Sequence, residues 1–298
     1  MVKTAYFLIY AGLGNQLFQY AAGLYVETLW GVPVRFHVQG HPRPFMLNQF
    51  MITSPMYPVG HWTSTMLYGS KPTAFKKGIR RICGVHLIDE TEQYKVDSQL
   101  LTLPVERKVL ARGFWQSKDY LHGLVTRLRS EFRFRNQPDD INAVRLADIK
   151  SKACPVSLHI RRGDYLHHAA NGEIVLPLEY YQTAIKTIQI QFRDAHFFVF
   201  SDDLEWAKSH LPASLPISFV EGNGEERAYE DLRLMSACKH HIIANSTFSW
   251  WGAWLNPDPA KIVLMPQSWF GTMPTPAGLI VDGWKTCSTR VASPSGCA

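Results

Sequence analysis

Four ionisable side chains stand within six positions of the segment HIRRGDY, after an apolar run, VSLHI, that is typical of a buried strand. They are His159, Arg161, Arg162 and Asp164. A guanidinium group stays charged at physiological pH, and its planar fork of donors matches a phosphate. Two interpretations are open: a structural pair between Arg161 and Asp164, or a site for a doubly charged ligand.

The two arginines should not be equivalent, because neighbouring side chains on an extended backbone point to opposite sides. Arg161 lies on the same side as His159, so we expect it to face the ligand. We expect Arg162 to turn towards the protein and pair with an acid, Asp164 being the nearest in sequence.

A glycine-containing turn, AGLGNQLFQYA, follows the first apolar strand and opens a helix. Backbone amides at such a turn can bind an anion, so Gly12 and Gly14 are candidate donor-binding residues. Leu17 occupies the third glycine position of a dinucleotide fingerprint, which makes that assignment weak. The amides of Asn15 and Gln16 suit a sugar. The alternative is a simple strand-to-helix turn capped by the asparagine.

The segment FSDD places Asp202 and Asp203 at another strand end. The acids lack D-x-D spacing and a neighbouring histidine, so a metal site is not the favoured interpretation. One of them can accept hydrogen bonds from a nucleoside. The alternative for the other is a cap on the helix that begins with LEWAKSHL.

Hydroxyl side chains precede a third helix in NSTFSWWGAWL and predict a second phosphate cradle at its N-terminus. The hydroxyls are those of Ser246, Thr247 and Ser249. Three tryptophans follow at 250, 251 and 254, and bulky rings at one helix start favour a place in the core. We nevertheless include Trp250 among the candidate donor-binding residues.

The bulk composition describes a folded globular protein: 298 residues, 46% hydrophobic and 19% charged, with a net charge of +6. Five scattered cysteines without a CxxC pair argue against a zinc site or a disulfide framework and favour a reducing cytosol. No apolar run approaches the length of a membrane span. We expect a cytoplasmic protein that contacts the inner face of a membrane at most from its surface.

The basic segment KPTAFKKGIRR, residues 71–81, has five cationic residues in eleven. It could bind nucleic acid. It could also be a solvated face, or an anchor to anionic lipid or to a lipid-linked acceptor. We favour the last two interpretations and expect no nucleic-acid partner.

Strand-like and helix-like segments alternate through the second half of the chain, which predicts a parallel sheet covered by helices. Ligands of such sheets bind beyond the carboxyl ends of the strands, where HIRRGD, FSDD and ANSTFS lie. Residues 40–105 show no clear period, and residues 135–143 are polar and turn-rich. We infer two α/β lobes, 1–140 and 150–298, with a cleft between them.

Four segments in this order, GLGNQLFQYA, GFWQSKDYL, HIRRGDY and NSTFSWWGAWL, resemble the α-1,2-fucosyltransferase family. The resemblance implies a GT-B fold of two Rossmann-like lobes, with the nucleotide sugar held mainly by the C-terminal one. It implies inverting transfer of L-fucose from GDP-β-L-fucose to the 2-hydroxyl of a terminal galactoside, without a metal cofactor. It also implies that Arg161 contacts the diphosphate, with His159 and an acid of SDD near the nucleoside.

In such a reaction the acceptor hydroxyl must lose its proton to a base. Asp164 and Glu173 are the acids that follow the arginines, and either could be the general base. A phosphate oxygen of the donor could take the proton instead. Asp164 could equally orient an arginine.

The sequence differs from the animal members of that family in showing no N-terminal membrane anchor, and is similar to the bacterial ones. They suggest a role in glycan or O-antigen-type polysaccharide synthesis, with a galactose-terminated glycan or lipid-linked oligosaccharide as acceptor. Two alternatives stay open. One is an α-1,6-type fucosyltransferase, which shares H-x-R-R-x-D, and the other is a non-catalytic carbohydrate-binding protein rich in tryptophan.

Overall fold

The computed structural model describes residues 4–39, 42–69, 73–103, 108–166, 174–271 and 273–289, apart from the side chains of residues 61, 62 and 164. The chain divides into two compact units, Met1–Arg135 and Asn136–Ala298. The division falls inside the polar segment 135–143, where charged and turn-forming residues cannot extend either core.

Unit 1 is built on five parallel strands in the order β3-β2-β1-β5-β4. Its elements are β1 (Thr4–Ile9), α1 (Leu13–Trp30), β2 (Val34–Val38), β3 (Met56–Pro58), α2 (His61–Tyr68), α3 (Ala74–Ile82), β4 (Val85–Asp89), β5 (Lys108–Arg112) and α4 (Val125–Glu131). The chain leaves β1 on one side towards β2 and β3, and returns on the other side through β4 and β5. The strand order therefore reverses between β1 and β5.

Two glycines, one in helix α1 and one directly after it, determine how this helix packs and where it ends. Most of its residues are buried, and it ends at Gly31, whose φ of 60° is in the left-handed region that glycine adopts without strain. Gly23 lies so close to Phe36 of β2 that a Cβ would stand 2.5 Å from the ring. The missing side chain lets the helix pack directly on the sheet.

Unit 2 has six parallel strands in the order β13-β10-β9-β6-β7-β8. Its elements are α5 (Asp140–Ser151), β6 (Cys154–Ile160), α6 (Leu178–Gln191), β7 (Ala195–Ser201), α7 (Leu204–His210), β8 (Ile217–Phe219), α8 (Ala228–Ala237), β9 (His240–Ile242), α9 (Thr247–Leu255), β10 (Val263–Pro266), β11 (Ser268–Phe270), β12 (Met273–Pro274) and β13 (Lys285–Cys287). All seven residues of β6 are buried. The order reverses here between β6 and β9.

The predicted alternation of strands and parallel pairing in the second half are confirmed. Residues 40–105, which showed no clear period, contain β3, β4, α2 and α3. These elements are short, and α3 exposes apolar residues, so hydrophobic periodicity does not reveal them.

The described cysteines differ in state. Cys83, Cys154 and Cys238 are free thiols, whereas Cys287 is disulfide-bonded. Within the described ranges, no helix is both long and apolar enough to cross a membrane.

Candidate functional site

The reversal of strand order in unit 2 brings three of the predicted segments to one edge of its sheet. Arg161 follows β6 directly, Asp202 and Asp203 follow β7, and Asn245 lies three residues after β9. Ligands of open parallel sheets bind at such reversal points, beyond the carboxyl ends of the strands.

The two arginines at this edge are held by different acids. Arg161 Nη1 lies 2.9 Å from Asp202 Oδ2, and Arg162 Nε lies 3.1 Å from Asp203 Oδ2. The Arg162 guanidinium also stacks 4.0 Å from the ring centroid of Trp206. Among the described side chains, Asp203 is the acid that pairs with Arg162, and the pairing of β6 with β7 brings it there. The predicted partner, Asp164, has its side chain outside the described part of the chain.

Asp202 and Asp203 make further contacts at this edge, and their predicted role beside a nucleoside stays a prediction. Asp202 Oδ1 accepts the backbone N–H of Arg162 at 2.8 Å while its other oxygen pairs with Arg161. Asp203 Oδ1 accepts the N–H of Trp206 at 3.1 Å and so caps α7, as one interpretation predicted. Each acid therefore holds one of the two arginines.

Buried polar atoms without partners lie beside the arginines. His159 is 6% exposed, its Nδ1 has no hydrogen-bond partner among the described residues, and its ring centroid is 5.8 Å from that of Phe248. Burial, reinforced by the charge of Arg161, lowers the pKa of His159 to about 3. Asn245 Oδ1 is likewise unpartnered, although its Nδ2 donates to two backbone carbonyls. A bound ligand would satisfy such atoms.

The N-terminus of α9 carries the predicted hydroxyl side chains, whereas the neighbouring Trp250 lies in the core. Ser246 Oγ accepts the N–H of Phe248 at 3.3 Å, and the Ser249 hydroxyl donates to the Ser246 carbonyl at 3.3 Å, with Thr247 as first residue of the helix. Trp250 is fully buried, and its Nε1 donates to the Leu279 carbonyl at 2.7 Å. The inclusion of Trp250 among donor-binding residues is therefore corrected: its ring belongs to the core.

The glycine turn lies in unit 1, where Gly12 caps α1 and Gly14 is buried in the first turn. The backbone amides of Asn15 and Gln16 both donate to the Gly12 carbonyl, at 2.9 and 3.1 Å. The Gln16 side chain donates to the carbonyls of Ala11 and Pro44 and accepts from Met46, so it braces the turn. This corrects its assignment to ligand binding.

The structure does not describe the side chains of the two candidate general bases. Asp164 begins a single 3-10 turn, Asp164–Leu166, but its side chain is outside the described part of the chain. Glu173 lies wholly outside the described residues.

Sequence reasoning missed three residues that organise this edge. Tyr165 donates its hydroxyl to the Asn245 carbonyl at 3.0 Å, and its ring centroid is 5.5 Å from the Arg161 guanidinium. Gly163 packs against Asp202, since a Cβ there would stand 2.8 Å from Oδ2. Asn245 could have been identified from the sequence, because it is a polar residue directly after an apolar run.

His159 and His241 are buried and neutral in the folded protein, so we expect its stability to depend on pH. Burial lowers the pKa of His241 to about 3, and it is held by Ser157 and Asn256 at 2.8 and 3.0 Å. Below the unfolded value of about 6.5, unfolded His159 and His241 take up protons that the folded state excludes. We expect the free energy of unfolding to fall by about 1.4 kcal/mol per pH unit for each histidine below about pH 6.

Denaturant titrations at pH 7, 6 and 5 check this expectation. His241→Gln should reduce the slope of unfolding free energy against pH by about one proton. A profile that is flat between pH 7 and 5 would contradict the assignment of these histidines as neutral.

Residues 90–271 match the family described as glycosyl transferase family 11. An alpha-1,2-colitosyltransferase of Escherichia coli is 33% identical over 275 residues, covering 87% of this chain and 90% of that protein. The O-antigen biosynthesis glycosyltransferase WbnK of E. coli is 45% identical over 139 residues, 46% of this chain and 45% of that one. Galactoside alpha-(1,2)-fucosyltransferase 2 of Sus scrofa is 27% identical over 82% of this chain and 67% of its own.

Among solved structures, fucosyltransferase NodZ from Bradyrhizobium superposes with a TM-score of 0.53 at 15% identity, covering 86% of this chain and 94% of its own. At that identity the likeness concerns the fold alone. Together with the parallel sheets, it confirms the predicted GT-B fold class. The match over more than half of the sequence means that the chain belongs to glycosyl transferase family 11 and is a glycosyltransferase.

Proposed function

We propose that this chain transfers L-fucose from GDP-β-L-fucose to the 2-hydroxyl of a terminal galactoside, with inversion, during synthesis of a glycan or O-antigen-type polysaccharide. The activities for which the Sus scrofa galactoside alpha-(1,2)-fucosyltransferase 2 and the E. coli O-antigen biosynthesis glycosyltransferase WbnK are named support the reaction class. The single observation that carries the proposal in this chain is the paired-arginine edge of unit 2, with Arg161 beside the unpartnered atoms of His159 and Asn245.

The chemistry needs positive charge where the leaving group forms. Cleavage of the anomeric C–O bond leaves negative charge on the β-phosphate oxygen and positive charge on the sugar ring. We assign Arg161 to that oxygen because its fork is held in place by Asp202. Fixed donors of this kind stabilise the transition state more than the ground state, each by roughly 100–1000-fold in rate.

The other groups of the edge fit roles in donor binding. His159 is neutral, so it can hydrogen-bond the nucleotide without adding charge. Ser246 and Thr247, at the N-terminus of α9, suit a phosphate oxygen. Unit 1 is proposed as the acceptor side, while its Gly12–Gly14 turn stays a candidate for contact with the donor.

Similarity to the E. coli colitosyltransferase supports GDP-linked colitose as an alternative donor. Colitose is fucose without its 3-hydroxyl, and a site built to hydrogen-bond that hydroxyl rejects the analogue strongly, whereas an apolar contact does not. The ratio of kcat/KM for the two GDP-sugars, measured on one acceptor, decides which donor the chain prefers.

We propose that the reaction needs no metal ion. Asp202 and Asp203, the acids at this edge whose side chains the structure describes, are both paired with arginines, and Arg161 is assigned to supply positive charge to the diphosphate. Fucosyl transfer to galactose-terminated acceptors should therefore keep its rate in excess EDTA. The product linkage, determined by NMR, should be α-1,2.

This assay also tests the function itself. Loss of transfer on chelation, restored by Mg²⁺ or Mn²⁺, would return the acids to a metal site. Absence of transfer from GDP-fucose to every galactoside in the panel would reject the proposed donor and acceptor. Carbohydrate binding without GDP binding or transfer would favour a non-catalytic carbohydrate-binding protein, which needs no phosphate cradle.

We also propose that α3 contacts an anionic membrane surface. Phe75 and Ile82 lie seven residues apart on one face of this helix and are 65% and 87% exposed. Lys77 and Arg81 are exposed on the opposite side. Such a helix places apolar side chains in the lipid interface while its cations meet anionic headgroups.

Vesicle sedimentation provides the measurement. We expect binding to phosphatidylserine-containing vesicles, and Phe75→Ser with Ile82→Ser should weaken it by at least about tenfold, because two apolar side chains leave the interface. Ile190→Ser is a matched control, since this residue of α6 is 74% exposed. Equal loss in the control, or equal binding to neutral vesicles, would contradict the proposal.

A further inference from the structure

Arg161 follows the middle one of three neighbouring strands of unit 2, which lie in the order β9-β6-β7. Asp202, after β7, holds its guanidinium from one side, with 2.9 Å between Arg161 Nη1 and Asp202 Oδ2. One ion pair fixes one edge of a planar group. A contact from the β9 side is therefore needed to fix the orientation of its plane.

Tyr165 supplies a contact of this kind. Its ring centroid lies 5.5 Å from the Arg161 guanidinium carbon, and a cation within about 6 Å of an aromatic ring is attracted by the ring face. Tyr165 lies in the 3-10 turn Asp164–Leu166, in which the Leu166 N–H donates to the Arg162 carbonyl at 3.0 Å. This turn brings the ring back to the side chain of Arg161.

The Tyr165 ring is itself held from the side of β9. Its hydroxyl donates to the Asn245 carbonyl at 3.0 Å, and Asn245 lies three residues after β9. The Asn245 side chain is buried, and its Nδ2 donates to the carbonyls of Ile174 and Trp269 at 3.0 and 3.1 Å. The acceptor of the Tyr165 hydroxyl therefore belongs to a residue that is fixed on its own account.

A second tyrosine hydroxyl fixes the same segment in a different way. Tyr180 of α6 is fully buried, and its hydroxyl donates to the carbonyls of Ile243, directly after β9, and Leu264 of β10. It ties β9 to β10, whereas Tyr165 ties the end of β9 to the arginine after β6. The two hydroxyls are therefore a matched pair for comparison.

The segment that anchors Tyr165 leads directly into α9. Ser246 and Thr247, the residues assigned above to a phosphate oxygen, follow Asn245 in the chain. Tyr165 thus connects the two groups proposed to hold the diphosphate, the guanidinium after β6 and the helix N-terminus after β9. Donors stabilise developing charge best when they are fixed before the reaction, because nothing then has to reorganise.

We propose that Tyr165 is a positioning residue of the transfer reaction, which holds the Arg161 guanidinium in a fixed relation to the N-terminus of α9. The inference rests on the proposed function, since the group to be met is the diphosphate of the leaving nucleotide. The Tyr165 ring contacts the arginine, and its hydroxyl ties the ring to Asn245. Tyr165 acts through Arg161 and needs no contact of its own with the donor.

A double-mutant cycle with Arg161→Lys tests the inference. Tyr165→Leu should lower kcat for fucosyl transfer by at least about tenfold and leave the KM for GDP-fucose within about threefold, because the charge on the leaving group develops in the transition state. Tyr165→Phe keeps the ring and should lose only about threefold. When Arg161→Lys is already present, Tyr165→Leu should cost less than about twofold more, because the fork that Tyr165 aligns is gone.

Tyr180→Phe is the matched control, since it also removes a hydroxyl that donates to a backbone carbonyl of the segment 243–245. It should lower the melting temperature, and its effect on kcat should be the same with and without Arg161→Lys. An equal loss from Tyr165→Leu in both backgrounds would give Tyr165 a structural role only and overturn the inference. A kcat for Tyr165→Leu within about twofold of the unmodified protein would overturn it as well.

Calorimetric titration with GDP separates this inference from the proposed function. If the unmodified protein transfers no fucose, the proposed function fails, and the dissociation constant of GDP is measured for the proteins of the same cycle. GDP carries the charge of the leaving group, so Tyr165→Leu should weaken its binding by at least about fivefold, and by less than about twofold when Arg161→Lys is present. Equal weakening in both backgrounds, or no GDP binding by the unmodified protein, overturns the inference.

Discussion

Replacing Arg161 by lysine is expected to lower kcat/KM by at least about 100-fold, or roughly 2.7 kcal/mol of transition-state stabilisation. Lysine keeps the charge but loses the planar fork, so it cannot contact Asp202 and a phosphate oxygen in the same geometry. The loss should appear in steady-state kinetics with GDP-fucose, while the melting temperature changes little.

Arg162→Lys is the matched control, because Arg162 pairs with Asp203 and stacks on Trp206. We expect a smaller kinetic loss and a larger fall in melting temperature, from about 1–2 kcal/mol of lost pairing and stacking. If Arg161→Lys stays within a few-fold of the unmodified enzyme, the diphosphate is held by other groups.

Gly163→Ala is expected to reduce kcat/KM by between about 10- and 100-fold without unfolding the protein. The new Cβ would stand 2.8 Å from Asp202 Oδ2 and 3.1 Å from its Cγ, so the carboxylate must move. Because Asp202 holds Arg161, that movement displaces the guanidinium from its catalytic position. Misplacement of a reacting group by about 1 Å can cost about 100-fold in rate.

Gly60→Ala controls for the general effect of adding a methyl group to a glycine. A Cβ at Gly60 meets no atom within 4 Å, and its backbone conformation suits any residue. Kinetics and thermal unfolding of both variants make the comparison. A rate for Gly163→Ala equal to that of Gly60→Ala would show that Asp202 can yield without moving Arg161.

The place of the two arginines at the end of a buried strand could be predicted from the sequence, because the apolar run before them is a local pattern. The pairing of Arg162 with Asp203 could not. Asp203 lies 41 residues away in sequence, and it reaches Arg162 because β6 and β7 pair in a register that aligns Ile160 with Ser201. Sequence proximity favoured Asp164 because no local signal encodes that register.

Two other residues illustrate the same limit. Gln16 looked like a ligand-binding amide, but its partners Pro44 and Met46 come from the segment that has no readable period. Trp250 stands beside the hydroxyls of α9, and only the packed structure reveals that its indole faces Leu279. The strand ends were predictable; the tertiary partners of their side chains were not.

The acids that hold the arginines follow a neighbouring strand, and this limits how the motif can be transferred to another protein or varied. Grafting HIRRGDY alone onto another parallel sheet would leave its arginines without the acids that orient them. A working transplant needs both strands in register, with SDD at the end of the second. For the same reason, wherever an acid at 202 holds the arginine, glycine is expected at 163, since a Cβ there would stand 2.8 Å from that carboxylate.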